Sequence, residues 1–112
     1  MIGYVMIGTN DLDRGARFYD ALLAPLGLVQ VERVETYAAY APKAAKDAIE
    51  FYVTRPFDQA PATPGNGTMI ALSAPTMQAL EQFHRLGLQN GGSDEGAPGP
   101  REDGSSICYA YI

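Results

Sequence analysis

The chain has 112 residues, of which 46% are hydrophobic and 19% charged, so it is long and apolar enough for one small folded domain, and general disorder is excluded. Thirteen acidic against eight basic residues give a net charge of −5, which argues against nucleic acid or an anionic membrane as a partner. No apolar run approaches the ~18–20 residues of a membrane helix, and residues 1–4 do not begin a signal-peptide pattern. We therefore expect a cytoplasmic protein.

The first half of the chain predicts one helix among four strands. Asn10 follows the first strand as the expected N-cap of the helix, because its side chain can accept a hydrogen bond from a free backbone N–H. The apolar residues from Leu12 onward recur at helical spacing, and Pro25 and Gly27 end the helix. Apolar runs or alternation predict the strands, which are residues 2–9, 28–33, 35–40 and 49–54.

The second half repeats this order after a linker rich in proline and glycine, residues 56–67. A strand is expected at residues 68–73, and Pro75 lies near the start of a second helix. The glycine, serine, proline and acidic composition of residues 91–106 predicts mostly loop, and alternation predicts a last strand over 106–112.

The two halves share one register. When residues 4–7 are set over residues 69–72, Leu12 falls on Met77, and Tyr19 falls on His84. A strand, a helix and further strands thus occur twice, which indicates an internal repeat of a βαβββ unit. Two such units side by side would form a curved sheet whose concave face is a cleft.

Several segments, in order along nearly the whole chain, carry a resemblance to a known superfamily. They are Ile7-Gly8-Thr9-Asn10-Asp11-Leu12, Arg17-Phe18-Tyr19-Asp20, Leu23-Ala24-Pro25-Leu26-Gly27, Tyr52-Val53-Thr54-Arg55-Pro56, Pro64-Gly65-Asn66-Gly67-Thr68 and Gly91-Gly92-Ser93-Asp94-Glu95-Gly96-Ala97-Pro98-Gly99. With these residues the chain resembles the vicinal oxygen chelate superfamily, which includes glyoxalase I, bleomycin and fosfomycin resistance proteins and extradiol dioxygenases.

The resemblance implies an α+β fold in which two βαβββ units form a curved mixed sheet with helices on its outer face. The whole chain would be one domain, with unit one at residues 1–55, the linker at 56–67 and unit two at 68–112. The last strand of unit two is absent from this sequence, which ends at Ile112.

The resemblance also fixes where a metal would be expected. Metal enzymes of the superfamily take a histidine or glutamine from the first strand of each unit and a carboxylate from the last. Here the first-strand positions are Tyr4 and Met69, and Tyr52 stands at the last-strand position of unit one, with Glu50 two residues earlier. Phenol and thioether are poor substitutes for imidazole on such an ion, so we expect no metal cofactor.

Tyrosines stand out as ligand-binding candidates because strand parity places them on the concave face. They are Tyr4, Tyr52, Tyr109 and Tyr111, and Met69 joins them as the first-strand residue of unit two. Aromatic rings with a hydroxyl tip suit a flat apolar ligand that carries a few polar atoms. The alternative is that these side chains fill a collapsed cleft or a dimer interface.

Three further residues carry side chains that are capable of catalysis. Glu50 is a weak candidate for a catalytic base, with a solvated carboxylate, or one paired with Arg55 or a lysine, as the favoured alternative. His84 and Cys108 are the only histidine and cysteine, and we expect both to be packing residues, since His84 lies in the outer helix and Cys108 alternates with apolar residues.

Two functions follow from these observations. The first is a metal-independent protein that binds an aromatic or amphipathic small molecule in the concave cleft, as drug-binding relatives do. The alternative is an enzyme, a glyoxalase-like lyase or isomerase or a dioxygenase-related protein, that uses Glu50 or a tyrosine as acid or base. Small size and the resemblance both favour a homodimer.

Overall fold

The first half of the chain folds into a four-stranded sheet with one helix on its outer face. In the computed structural model, which describes residues 1–112, the strands are β1 (Val5–Gly8), β2 (Leu28–Arg33), β3 (Tyr37–Pro42) and β4 (Phe51–Thr54). The sheet order is β1-β4-β3-β2, with β1 parallel to β4 and the other neighbours antiparallel. Helix α1 (Leu12–Leu23) continues into a short 3-10 turn, Ala24–Leu26.

Helix α1 begins one residue later than the sequence indicates. Asp11 is its N-cap, because a carboxylate oxygen of Asp11 accepts the backbone N–H of Arg14 at 3.0 Å. Asn10, which was predicted as the cap, instead exchanges two hydrogen bonds with the backbone of Ala62 in the linker. The cap prediction was therefore wrong, and Asn10 fixes the linker against the start of the helix.

The core lies between α1 and the outer face of this sheet. Apolar residues from both layers meet there, namely Leu12, Ala16, Leu23, Ala38, Tyr40, Phe51 and Val53. The phenol of Tyr40 is fully buried and lies 2.9 Å from a carboxylate oxygen of Asp20 on α1. Because this face is filled by one helix, the opposite face of the sheet is left as the concave surface.

The second half contains helix α2 (Met77–Gln89) and a two-stranded antiparallel sheet of β5 (Gly96–Pro100) and β6 (Cys108–Tyr111). Helices α1 and α2 pack against each other and begin at Leu12 and Met77, so the predicted register of the repeat holds for the helices. Neither helix has the length and apolar character needed to cross a membrane. The two helices and the two sheets give the predicted α+β class.

One predicted feature of unit two is corrected, and one holds. Residues 68–73 form no strand. In unit one, β1 pairs with β4, whereas unit two contains no strand that pairs with residues 68–73 in the same way. Residues 91–106 are mostly loop, as predicted, and β5 lies within them. Its glycines and prolines are unfavourable for a strand, and it is held by its pairing with β6.

Candidate functional site

The concave face of the first sheet is defined by strand parity. Val5 and Ile7 of β1 pack against the core, so Met6 and the preceding Tyr4 lie on the opposite face. In the neighbouring strand β4, Phe51 and Val53 are buried under α1, which places Tyr52 on the concave face. The predicted position of Tyr4 and Tyr52 on one face is therefore what the structure shows.

Three tyrosine rings meet on this face, and we call them the tyrosine row: Tyr4, Tyr52 and Tyr37. The ring centroids of Tyr4 and Tyr52 are 5.1 Å apart at an interplanar angle of 71°, and those of Tyr37 and Tyr52 are 5.5 Å apart at 76°. Edge-to-face contacts of this kind are favourable beyond the area they bury. Tyr4 remains 57% exposed, so the row presents ring surface to solvent.

A carboxylate is hydrogen-bonded to the tyrosine at one end of the row. The hydroxyl of Tyr37 donates to Oε1 of Glu32 on β2 at 2.8 Å. This bond raises the pKa of Tyr37 above its usual value, since ionisation would place a second negative charge beside Glu32. Tyr37 is therefore a neutral hydrogen-bond donor at physiological pH. Neither Tyr37 nor Glu32 was identified from the sequence.

Glu50 precedes β4 and lies near the other end of the row. Its backbone is fixed in the sheet, because its N–H donates to the Tyr40 carbonyl and its own carbonyl accepts from Val5. Its side chain is exposed and forms no salt bridge, so of the expected alternatives the structure shows the solvated carboxylate and not a pair with Arg55 or a lysine. The structure thus gives Glu50 a fixed position and a free carboxylate.

Tyr109 and Tyr111 of β6 form a second, separate cluster. Their rings are nearly parallel, with centroids 6.3 Å apart and planes at 16°. The guanidinium of Arg101 lies over the ring of Tyr111 at 5.9 Å and donates to its hydroxyl at 3.4 Å. With Glu95, these side chains line an open groove of about 390 Å³. No ring of this cluster pairs with a ring of the tyrosine row.

The remaining predicted residues lie elsewhere. Met69 is in the segment without strand pairing and is 74% exposed. His84 is buried in α2, where Nε2 contacts Oδ1 of Asp94 at 3.0 Å. Cys108 is a half-buried free thiol, and parity places it with Ile112 on the side that packs against α2. Neither His84 nor Cys108 therefore lies with the tyrosine row.

The donor set does not fit the divalent ion that the superfamily resemblance implies. The positions for imidazole or amide ligands hold Tyr4 and Met69, and no three histidine, cysteine, aspartate or glutamate side chains come together anywhere in the chain. A carboxylate such as Glu50 supplies one ligand, whereas a catalytic metal site needs about three from the protein. These residues offer ring faces and single carboxylates instead.

Of three comparisons with known proteins, the one with solved structures gives a match. No family model matches the sequence, and no curated protein does either. Among solved structures, the crystal structure of a glyoxalase/bleomycin resistance protein from Albidiferax ferrireducens T118 is similar, with 35% sequence identity and a TM-score of 0.77. The alignment covers 88% of this chain and 80% of that one. The likeness therefore extends through both halves of the chain.

Proposed function

The chain belongs to the glyoxalase/bleomycin resistance protein family, and from this premise we propose that it binds an aromatic or amphipathic small molecule on its concave face. The observation that carries the proposal is the tyrosine row. Its rings contact one another on the sheet face that α1 does not cover, and the Tyr4 ring there is exposed to solvent. A flat apolar ligand would bury these ring faces and hydrogen-bond to the phenol hydroxyls.

We propose that binding needs no divalent metal ion. The reason is the chemistry of the side chains at the family positions, Tyr4 and Met69 in the first-strand places and Tyr52 in the last-strand place of unit one. Phenols bind such ions weakly at neutral pH, and thioethers prefer softer metals. Tyr109, Tyr111 and Met69 are proposed to line the part of the cleft that belongs to unit two.

A homodimer is part of this proposal. Large apolar side chains remain exposed, among them Met6 on the concave face at 52%, and Met69 at 74% and Ile107 at 58% in unit two. A symmetric interface would remove such surface from water. Light scattering at micromolar protein concentration should give twice the chain mass, and a monomer mass would contradict the dimer without affecting ligand binding.

An acid–base enzyme of the lyase or isomerase type is the second candidate. The observation that favours it is the position of Glu50, whose free carboxylate shares the concave face with Tyr52. A base in that place could take a proton from a ligand lying on the ring of Tyr52. Product formation by the wild type that is lost in Glu50→Gln, with binding retained, would establish this candidate over simple binding.

Thermal-shift screening of aromatic and amphipathic compounds tests the binding function. Wild type should be stabilised by at least one compound class that is recovered unchanged, because a ligand that binds only the folded state raises its stability. Tyr52→Leu removes the central ring of the row and should abolish the shift. The matched control is Phe57→Ala, which removes a fully exposed ring in the linker and should leave the shift intact. Equal shifts in both variants would refute the proposed site.

A further inference from the structure

The rings of the tyrosine row are steeply inclined to one another and do not stack face to face. Tyr52 stands between Tyr4 and Tyr37 and is inclined at 71° and 76° to them, so adjacent ring faces look in nearly perpendicular directions. Each ring face carries the negative end of the ring quadrupole. In each pair the edge of one ring lies against the face of its neighbour, so the two ring faces form a corner. A rounded positive group in such a corner can contact two ring faces, which a flat stack does not allow.

The formal charges on this face have one sign. Glu32 is fixed at one end of the row by its bond to Tyr37, and the carboxylate of Glu50 is near the other end. The four strands contain a single basic residue, Arg33, and it points to the other side of the sheet, where it pairs with Asp13. The net charge of −5 adds a long-range field of the same sign.

The second tyrosine cluster provides a contrast within the same chain. There the guanidinium of Arg101 already lies over the ring of Tyr111, so the chain supplies its own cation to that ring. No cationic side chain of the protein lies over a ring of the tyrosine row. The rings of the tyrosine row attract a positive group in the same way, but no positive side chain of this protein contacts them.

We propose that the ligand of the tyrosine row is an organic cation, a small molecule with a tertiary or quaternary ammonium group. Its alkyl substituents would lie on the ring faces of Tyr4, Tyr52 and Tyr37, with the charge balanced by Glu32 and Glu50. Alkylated ammonium is favoured over a primary amine because it has few or no N–H groups to lose from water on entering an aromatic site. The inference rests on the proposed function and narrows its ligand class.

Two probes of equal shape and different charge test this inference. Choline and its uncharged carbon analogue 3,3-dimethylbutan-1-ol differ in replacing nitrogen by carbon, so apolar burial is matched. NMR titration of the full chain should give about tenfold tighter binding of choline, the order expected for a cation–π contribution of this kind. The largest shifts should be those of the tyrosine row. Tyr109 and Tyr111, where Arg101 already lies over a ring, should shift less.

Variants distinguish the contribution of the aromatic ring to choline binding from that of the carboxylate. Tyr52→Leu should weaken choline binding about tenfold, whereas Tyr52→Phe keeps the ring face and should stay within about twofold. Glu32→Gln should weaken it about threefold to tenfold. Glu81→Gln removes the same charge from the exposed side of α2 and is the matched control, expected to change nothing beyond a small long-range effect. If Tyr52→Leu fails to fold, the Glu32 and Glu81 pair still decides the role of charge.

The outcomes distinguish this inference from the binding function on which it rests. Equal affinity for choline and the alcohol would overturn the cation and leave binding on the row in place. Binding of uncharged aromatic compounds without any binding of choline would do the same. Failure of choline and of every screened compound would remove both proposals. Tighter binding of choline that is weakened in Glu32→Gln and unchanged in Glu81→Gln would establish the cation class.

Discussion

The imidazole Nε2 of His84 lies 3.0 Å from Oδ1 of Asp94 and joins the buried side of α2 to the turn before β5. The same carboxylate oxygen accepts the backbone N–H of Gly96, also at 3.0 Å. Because the His84 side chain is only 7% exposed, its ring nitrogen depends on this partner. The contact gives the sole histidine a structural part in unit two.

Loss of this carboxylate should destabilise the fold. Asp94→Ala leaves a buried ring nitrogen and a backbone N–H without their partner, and we expect the free energy of unfolding to fall by about 1–3 kcal/mol. Urea unfolding followed by circular dichroism measures the change. Asp103→Ala removes an exposed carboxylate from the β5–β6 loop and should change stability by less than about 0.5 kcal/mol. Equal unfolding midpoints for the two variants would show that the contact contributes nothing.

Tyr40 should make stability depend on alkaline pH. Burial, and then its hydrogen bond to Asp20, raises the pKa of Tyr40 well above its usual value of about 10. The folded state therefore holds this proton more tightly than the unfolded state, so its stabilising effect is complete below pH ~10 and is lost as pH rises further.

The Tyr40→Phe variant tests this linkage. At pH 7 it should be about 1–2 kcal/mol less stable than wild type, since the bond to the Asp20 carboxylate is gone. Above pH ~10 its unfolding free energy should fall less steeply, by up to about 1.4 kcal/mol per pH unit for one proton. Urea unfolding at a series of pH values from 7 to 11 measures both effects. Parallel curves for the two proteins would contradict the assignment.

Gly92 is required by close packing between the helices and the end of the chain. A Cβ at this position would lie 2.7 Å from Cγ1 of Ile112 and 2.9 Å from the carbonyl oxygen of Gly87. Gly92→Ala should therefore cost about 1–3 kcal/mol, because backbone has to move. Gly99→Ala, where nothing lies within 4 Å, is the control and should be neutral or slightly stabilising. Similar thermal midpoints for both variants would be incompatible with this packing.

The local sequence pattern was sufficient to predict most helices and strands of unit one. It failed where contacts between residues far apart in the sequence determine the structure. Strand β2 is found at the predicted residues, Leu28–Arg33. Asn10 and Asp11 can both cap a helix, and the choice between them depends on the contact of Asn10 with Ala62, 52 residues away. Residues 68–73 have the apolar pattern of a strand, but a strand forms only where another supplies its hydrogen bonds.

The candidate site was predictable to the same extent. Parity along single strands predicted that Tyr4 and Tyr52 lie on the concave face, and they do. Glu32 was missed because the register of β2 against β3 shifts between Gln30 and Glu32, so that Gln30 faces α1 while Glu32 faces the concave side. Counting every second residue from Gln30 places Glu32 on the wrong face, and no local signal marks the irregularity.

Hydrogen exchange should show that unit two is the less stable half. Amides of β3 and β4 lie in central strands with a partner on each side, whereas β6 is paired only with β5 and residues 68–73 with no strand. We expect β4 to be the most protected, β6 to exchange faster, and residues 68–73 to exchange close to the rate of an unstructured peptide. The amides of Phe57 and Asp58 in the exposed linker donate no hydrogen bond and provide the unprotected reference. Protection of residues 68–73 equal to that of β1 would mean that another chain pairs with this segment, and the protection would then fall on dilution.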